Sequence, residues 1–159
     1  MNEFLTNGFA TGVLTLDVAF LFKRFPFPNC NDGEATPSPE AEMYLQSLHE
    51  HIATKYVSTM FEEFSFGEHN MWSGVDGPSQ EWHNDSCDEF NSNFLVYLDD
   101  GEMYNNFIEV KTPVEEFKIY PKKNQFVWLN QNQRFLHRAT HTEGPRRVLS
   151  FEFKIPAIA

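Results

Sequence analysis

The sequence predicts a mostly β protein, an antiparallel barrel-like double sheet open at one mouth, with a helix covering its outer face. Three observations carry that expectation. Short strand-like runs crowd the C-terminal part of the chain, at 93–98, 106–111, 115–120, 125–129, 135–140 and 147–155. A single helical stripe of apolar residues precedes them: Leu45, Leu48, Ile52, Tyr56, Met60 and Phe64. Phenylalanine is abundant, at 17 residues, which suits a sheet-rich core. At 159 residues the chain is long enough for one good core and too short for two ordinary domains, so 1–159 is expected to form a single domain.

The elements follow in order. Residues 10–23 alternate loosely and read as one or two strands, ended by Phe25-Pro26-Phe27-Pro28. Residues 29–37, rich in Asn, Asp, Gly and Pro, read as a loop. Ser38 then suits a helix cap and Pro39 the first helical position, giving a helix over about 39–62. His49 and His51 are two apart on it, face different directions and read as surface histidines. The segment 65–80 holds Phe66, Met71 and Trp72, then Gly74, Gly77 and Pro78. It reads either as a mobile cover over the barrel mouth or as a long loop with aromatic anchors. Asp99-Asp100-Gly101, Thr112-Pro113 and Glu143-Gly144-Pro145 punctuate the strands as turns.

Charge and cysteine usage narrow the partners. The net charge is −11, and such a surface repels nucleic acid, whose binding rests on phosphate neutralisation. Cys30 and Cys87 form no CxxC and no disulfide framework, which suits the reduced cytoplasm. Glu3 stands where a signal peptide would want positive charge, and the apolar run from Val13 to Phe22 contains Asp17 and is too short to span a bilayer. No membrane association is expected.

The chemistry-bearing residues are His83-Asn84-Asp85 and, 54 residues after His83, His137. In an extended strand, residues i and i+2 point to one side, so His83 and Asp85 can converge on one atom. Two near-adjacent ligands and a distant one make a two-histidine, one-carboxylate centre, which suits iron and leaves one face of the metal open. His141, four residues beyond His137, competes for the distal role. Arg146 and Arg147 open the last strand, and neighbours alternate, so only one points inward. An arginine entering that apolar interior needs an anion, and a carboxylate meets the need bidentately.

The stretch from Glu81 to Phe153 resembles the catalytic core of the iron(II)- and 2-oxoglutarate-dependent oxygenases, most of all the small prolyl-4-hydroxylase-like branch. The residues that carry the resemblance are Trp82-His83-Asn84-Asp85, the run from Phe94 to Asp99, and Tyr120-Pro121-Lys122-Lys123-Asn124. They end with His137-Arg138-Ala139-Thr140 and the run from Gly144 to Phe151. The matching part of the chain is about 81–155.

The resemblance implies a double-stranded β-helix, or jelly roll, with an N-terminal helical support. It implies iron(II) held by His83, Asp85 and His137, with 2-oxoglutarate and O2 as co-substrates and hydroxylation of an unactivated C–H bond as the reaction. The 2-oxoglutarate-binding arginine maps onto Arg146, with Arg147 as the alternative. Tyr97 is a candidate partner for the co-substrate unless alternation turns Val96 inward instead. Asp85 argues against halogenation, because halogenating relatives free that coordination position. The substrate would be a prolyl or other peptidyl residue, or a small metabolite.

The sequence also departs from the pattern. The glycine-rich segment between core strands shrinks to Asp100-Gly101 and Tyr104-Asn105-Asn106, and Asn124 stands where a glycine is usual. A second arginine six residues after the first, as in the nucleic-acid demethylase branch, is replaced by Glu152 or Phe153. Two other classes stay open: a cupin-like metal barrel that does not use 2-oxoglutarate, which would leave Arg146 outside the cavity, and a non-catalytic barrel, which would keep His83 and His137 apart.

Overall fold

The computed structural model describes residues 2–27, 37–73, 80–139 and 145–156. Its frame is two antiparallel sheets. The larger contains β1 (Phe9–Val13), β2 (Ser65–Ser73), β3 (Ser92–Tyr97), β6 (Gln125–Asn130) and β8 (Arg147–Lys154) in the order β1-β6-β3-β8-β2. The smaller contains β4 (Ile108–Lys111), β5 (Glu116–Ile119) and β7 (Leu136–Ala139) in the order β5-β4-β7.

The two faces of the larger sheet can be read from alternation along β3. Phe94 and Val96 point to one side and join Trp128, Leu149, Phe151 and Phe153 in a cluster with the helices. Leu95 and Tyr97 point to the other and meet Val127, Leu129, Val148, Ile108 and Val110 between the sheets. A central strand covered on both faces is apolar at nearly every position, which is why 93–98 looks so uniform in sequence. Phe94, Trp128, Phe151 and Phe153 are each 0% exposed, and burying such a side chain stabilises the fold by about 1.5–3 kcal/mol.

Helical segments close the outer face. A short α1 (Asn2–Thr6) places Phe4 against Trp128, with ring centroids 4.1 Å apart. The main support is α3 (Pro39–Ile52), capped by Ser38, whose hydroxyl accepts the Ala41 N–H at 3.2 Å. It runs into a wider π-helical turn, Ala53–Val57, and then α4 (Ser58–Met60). In the wide turn Tyr56 sits over Phe94 and Phe126. The helix expected over 39–62 is thus present as one helical run with a change of pitch.

Three expectations are corrected. Residues 10–23 hold one strand only, because Asp17 starts a helical turn, α2 (Val18–Leu21), by accepting the Phe20 N–H at 3.1 Å. Asn124 completes that turn from across the chain, its side-chain oxygen accepting the Ala19 N–H at 2.8 Å. Residues 65–73 are neither cover nor loop but the edge strand β2, paired with β8. The remainder of the cover reading, 74–79, lies outside the described residues, as do His141, Cys30, most of the 29–37 loop and Glu143-Gly144. Lastly, His49 is buried, at 4% exposure, where a surface position was expected. It stacks edge-on against Phe151 and Phe153, and its Nε2 donates to the Glu152 carbonyl at 3.0 Å. Among the described residues no helix is long and apolar enough to cross a membrane.

Candidate metal centre

The segment after residue 80 is not a long strand, yet it is held to one. His83 makes a single antiparallel bridge with His137 on β7. The His83 N–H donates to the His137 carbonyl at 3.1 Å, and the His137 N–H returns to the His83 carbonyl at 2.9 Å. Directly opposed residues project to the same side, so the two imidazoles lie together, ring centroids 4.4 Å apart. Asp85, two residues on, reaches the same point. Its Oδ2 is 3.0 Å from His137 Nε2 and 3.5 Å from His83 Nε2. One ligand atom from each of the three residues lies within 4.8 Å of the others.

Asn84, between the ligands, fixes the local turn. Its side-chain amide donates towards the carbonyls of Gln131, Asn132 and Phe135 at 2.8–3.0 Å, and its oxygen accepts the Ser86 N–H. The residue that looks like filler in the motif therefore ties it to the β6–β7 connection. Asn84→Ala is expected to lower stability by about 2 kcal/mol and to weaken metal binding by about tenfold. Chemical denaturation and metal titration of the same variant check both values.

The electrostatics suit a cation. Hydrogen bonds from His137 and then His83 hold the Asp85 carboxyl well below the usual carboxylate range. The same contact with Asp85 is the main cause that raises His83. His83 Nδ1 lies 2.7 Å from the Glu81 carbonyl, which makes it the protonated nitrogen and leaves Nε2 to face Asp85. Ligands about 2.0–2.2 Å from a metal, on neighbouring octahedral positions, are about 3 Å apart. The two spacings to Asp85 are close to that size, and all three ligand atoms lie within 4.8 Å of one another, so the donor set suits a divalent transition metal.

Arg146 and Arg147 part company. Arg147 turns outward onto Asp99, with Nη2 to Oδ1 at 2.8 Å and Nε to Oδ2 at 3.1 Å, while its backbone N–H also meets Oδ2. Arg146 turns inward and is buried, at 6% exposure. Its guanidinium lies 4.9 Å from the Trp72 ring centroid and 6.0 Å from that of Tyr97. Among the described residues its Nε and Nη2 have no hydrogen-bond partner, and neither has the Tyr97 hydroxyl. Burial pushes the Tyr97 phenol up, against the pull of Arg146. Tyr97, not Val96, is the inward residue.

Sequence reasoning missed two residues of this site. Trp72, expected in either a mobile cover or a loop with aromatic anchors, covers the guanidinium from β2. Gln131 is fully buried, and its Nε2 points to Asp85 Oδ2 at 3.4 Å. No motif flags Gln131. Trp72 could have been found by extending the strand reading back to residue 65.

No family model and no curated protein sequence matches the chain. Solved structures do match. A 2OG-Fe(II) oxygenase family oxidoreductase from Burkholderia pseudomallei aligns at TM-score 0.71 and 13% identity, over 96% of this chain and 88% of its own. A prolyl hydroxylase from Trichoplax adhaerens, in complex with a hypoxia inducible factor oxygen degradation domain peptide fragment, aligns at TM-score 0.68 and 14% identity, over 97% and 86%. A prolyl-4-hydroxylase from Pseudomonas putida aligns at TM-score 0.64 and 13% identity, over 98% and 97%. The chain has the fold of the 2-oxoglutarate and iron(II) oxygenases. Within that class it resembles the small prolyl-hydroxylase-like proteins. At these identities the likeness speaks for the fold alone.

Proposed function

We propose that the protein is an iron(II)- and 2-oxoglutarate-dependent dioxygenase that hydroxylates an unactivated C–H bond in a peptidyl residue or a small metabolite. The observation that carries this reading is the buried Arg146, just before β8, whose Nε and Nη2 have no partner among the described residues, while His137 pairs with Val110, which packs between the two sheets. A buried guanidinium without an anion is unstable, and a dicarboxylate would satisfy it. In this reading the two sheets form a double-stranded β-helix, with the helical run from Pro39 as its outer support.

His83, Asp85 and His137 would hold iron(II), and Arg146 would hold the far carboxylate of 2-oxoglutarate. With that co-substrate and O2, the metal supplies the oxidising power for C–H cleavage. The protein's part is placement. Asp85 offers a carboxylate already ionised, and His83 is fixed in one tautomer by Glu81. Trp72 covers the arginine on one side. Tyr97 would donate its unpartnered hydroxyl to the co-substrate. A cupin-like barrel without 2-oxoglutarate gives no reason for the buried arginine, and a non-catalytic barrel gives none for the clustered histidines. Cys87 is free and exposed, which suits a reducing cytoplasm.

The test is anaerobic titration with iron(II) and then 2-oxoglutarate, followed by succinate release in air. Asp85→Ala should lower iron(II) affinity by about 100-fold or more and abolish turnover while the thermal unfolding transition stays cooperative. Unchanged iron binding in that variant would remove Asp85 from the centre. Iron binding without any 2-oxoglutarate binding in the wild type would favour the cupin-like reading.

A further inference from the structure

Glu152 lies on the inward face of β8, two and four residues beyond Ser150 and Val148. The chain makes room for it. In the β2–β8 pairing Phe66 faces Phe153 and His69 faces Phe151, so Gly67 and Glu68 together stand opposite Glu152 in a bulge. A Cβ at Gly67 would lie 2.7 Å from the Glu152 Cβ, so a larger residue there would displace the carboxylate. Glu152 Oε2 accepts the Glu68 N–H at 3.2 Å. Among the described residues no lysine, arginine or histidine side chain forms an ion pair with it. Burial, then the charges of Glu68 and Asp85, raise its carboxyl above the ordinary value.

Among the described residues two more acceptors on this wall have no donor. Asn93 faces Glu152 across the β3–β8 ladder, and its buried Oδ1 has no partner. Gln131 is 0% exposed and spends its amide N–H on Asp85, and its Oε1 has no partner either. Among the described residues the wall beside the candidate metal ligands thus leaves two amide oxygens without a donor.

Resting on the oxygenase reading, we infer that the substrate carries an ammonium or guanidinium group and that Glu152 binds it beside the metal centre. Such a group brings donors only, and in number, which is what a carboxylate flanked by two amide oxygens lacks. The net charge of −11 would also draw a cation to the mouth. A bulge clamp alone would not need a charge, because a glutamine could accept the Glu68 N–H equally well.

That difference sets the experiment. Calorimetry of the iron(II)-loaded protein with 2-oxoglutarate, under anaerobic conditions, would use N-acetyl-lysinamide, N-acetyl-argininamide and the neutral N-acetyl-norleucinamide. The same three residues would also be presented between glycines in pentapeptides. A cationic probe is expected to bind about 10- to 100-fold more tightly than its neutral counterpart. Glu152→Gln should erase that preference while iron(II) and 2-oxoglutarate affinities stay as in the wild type. Tighter binding in the pentapeptide arm assigns the cation to a peptide, and tighter binding of the free amide assigns it to a small amine. Equal binding of the norleucine probe, a preference that survives Glu152→Gln, or no binding of either cation at millimolar concentration overturns the inference. Repeating the titrations with chelator and without 2-oxoglutarate reads the cation preference by itself, so a failure of the oxygenase reading is seen separately.

Discussion

Arg146→Ala is expected to weaken 2-oxoglutarate binding by about 100-fold or more while leaving iron(II) affinity within about twofold. The magnitude follows from losing a bidentate, charge-assisted pair in a buried site, where each such bond contributes about 1.5–3 kcal/mol. Iron(II) should be indifferent because none of its candidate ligands touches Arg146. Arg147→Ala should do the opposite. It breaks the fork onto Asp99, which holds the start of β8 and whose carboxylate also accepts the Arg147 backbone N–H. The expected result is a loss of about 1–2 kcal/mol in unfolding free energy, with 2-oxoglutarate affinity nearly unchanged. Two affinities and one denaturation curve per variant suffice. If Arg147 alone governs the co-substrate, the inward and outward assignments are exchanged; if neither does, the co-substrate reading fails.

The second large effect is on stability against acid. Burial pushes His49 down to about 4, with the neighbouring His69 adding to the effect and the bond to the Glu152 carbonyl opposing it. The unfolded chain takes up a proton near pH 6.5. Between pH 6.5 and 4 the unfolded state therefore binds more protons at this residue than the folded one, and stability falls as pH falls through that window. Above pH 6.5 the residue is neutral in both states and adds no slope. A shift of that size corresponds to about 3 kcal/mol. His49→Phe should remove this component, because the surrounding rings of Phe66, Phe151 and Phe153 accept another ring. Urea unfolding of both proteins at steps from pH 7.5 to 4 makes the comparison, and titrating groups that do not touch His49 cancel in the difference. Parallel curves would show that His49 does not titrate as described.

His49 also shows what was legible in the sequence and what was not. Its position four residues after Leu45, and three before Ile52, places it on the buried stripe of α3, and Ala41, Leu45, Leu48 and Ile52 line the same face. Periodicity was sufficient to bury it. Residue type prevailed instead, because a histidine needs particular partners to be buried, and these lie 20 and 103 residues away on β2 and β8. β3, β6 and β8 were legible because most of their residues on both faces are buried. β2 was not, since an edge strand with exposed polar residues and a bulge carries no clean alternation. The three metal-ligand candidates came from spacing together with the family resemblance, with His141 as a rival for the distal place. Gln131 and Glu152 were not legible, because their significance comes from which strand faces which. Asn124, a departure from the expected glycine, has a local reason. Its φ is 65°, a conformation that asparagine tolerates better than other side chains, and in exchange its amide anchors α2.

The backbone bridge between His83 and His137 bears on how metal capture proceeds. Two N–H to carbonyl bonds hold these residues opposite each other before any ion arrives. The chain between His83 and His137 is then already closed, so the entropy of closing it belongs to folding and not to any metal uptake. An ion bound there would enter a ring already closed, and a chelator is then expected to leave the protein folded instead of unravelling it.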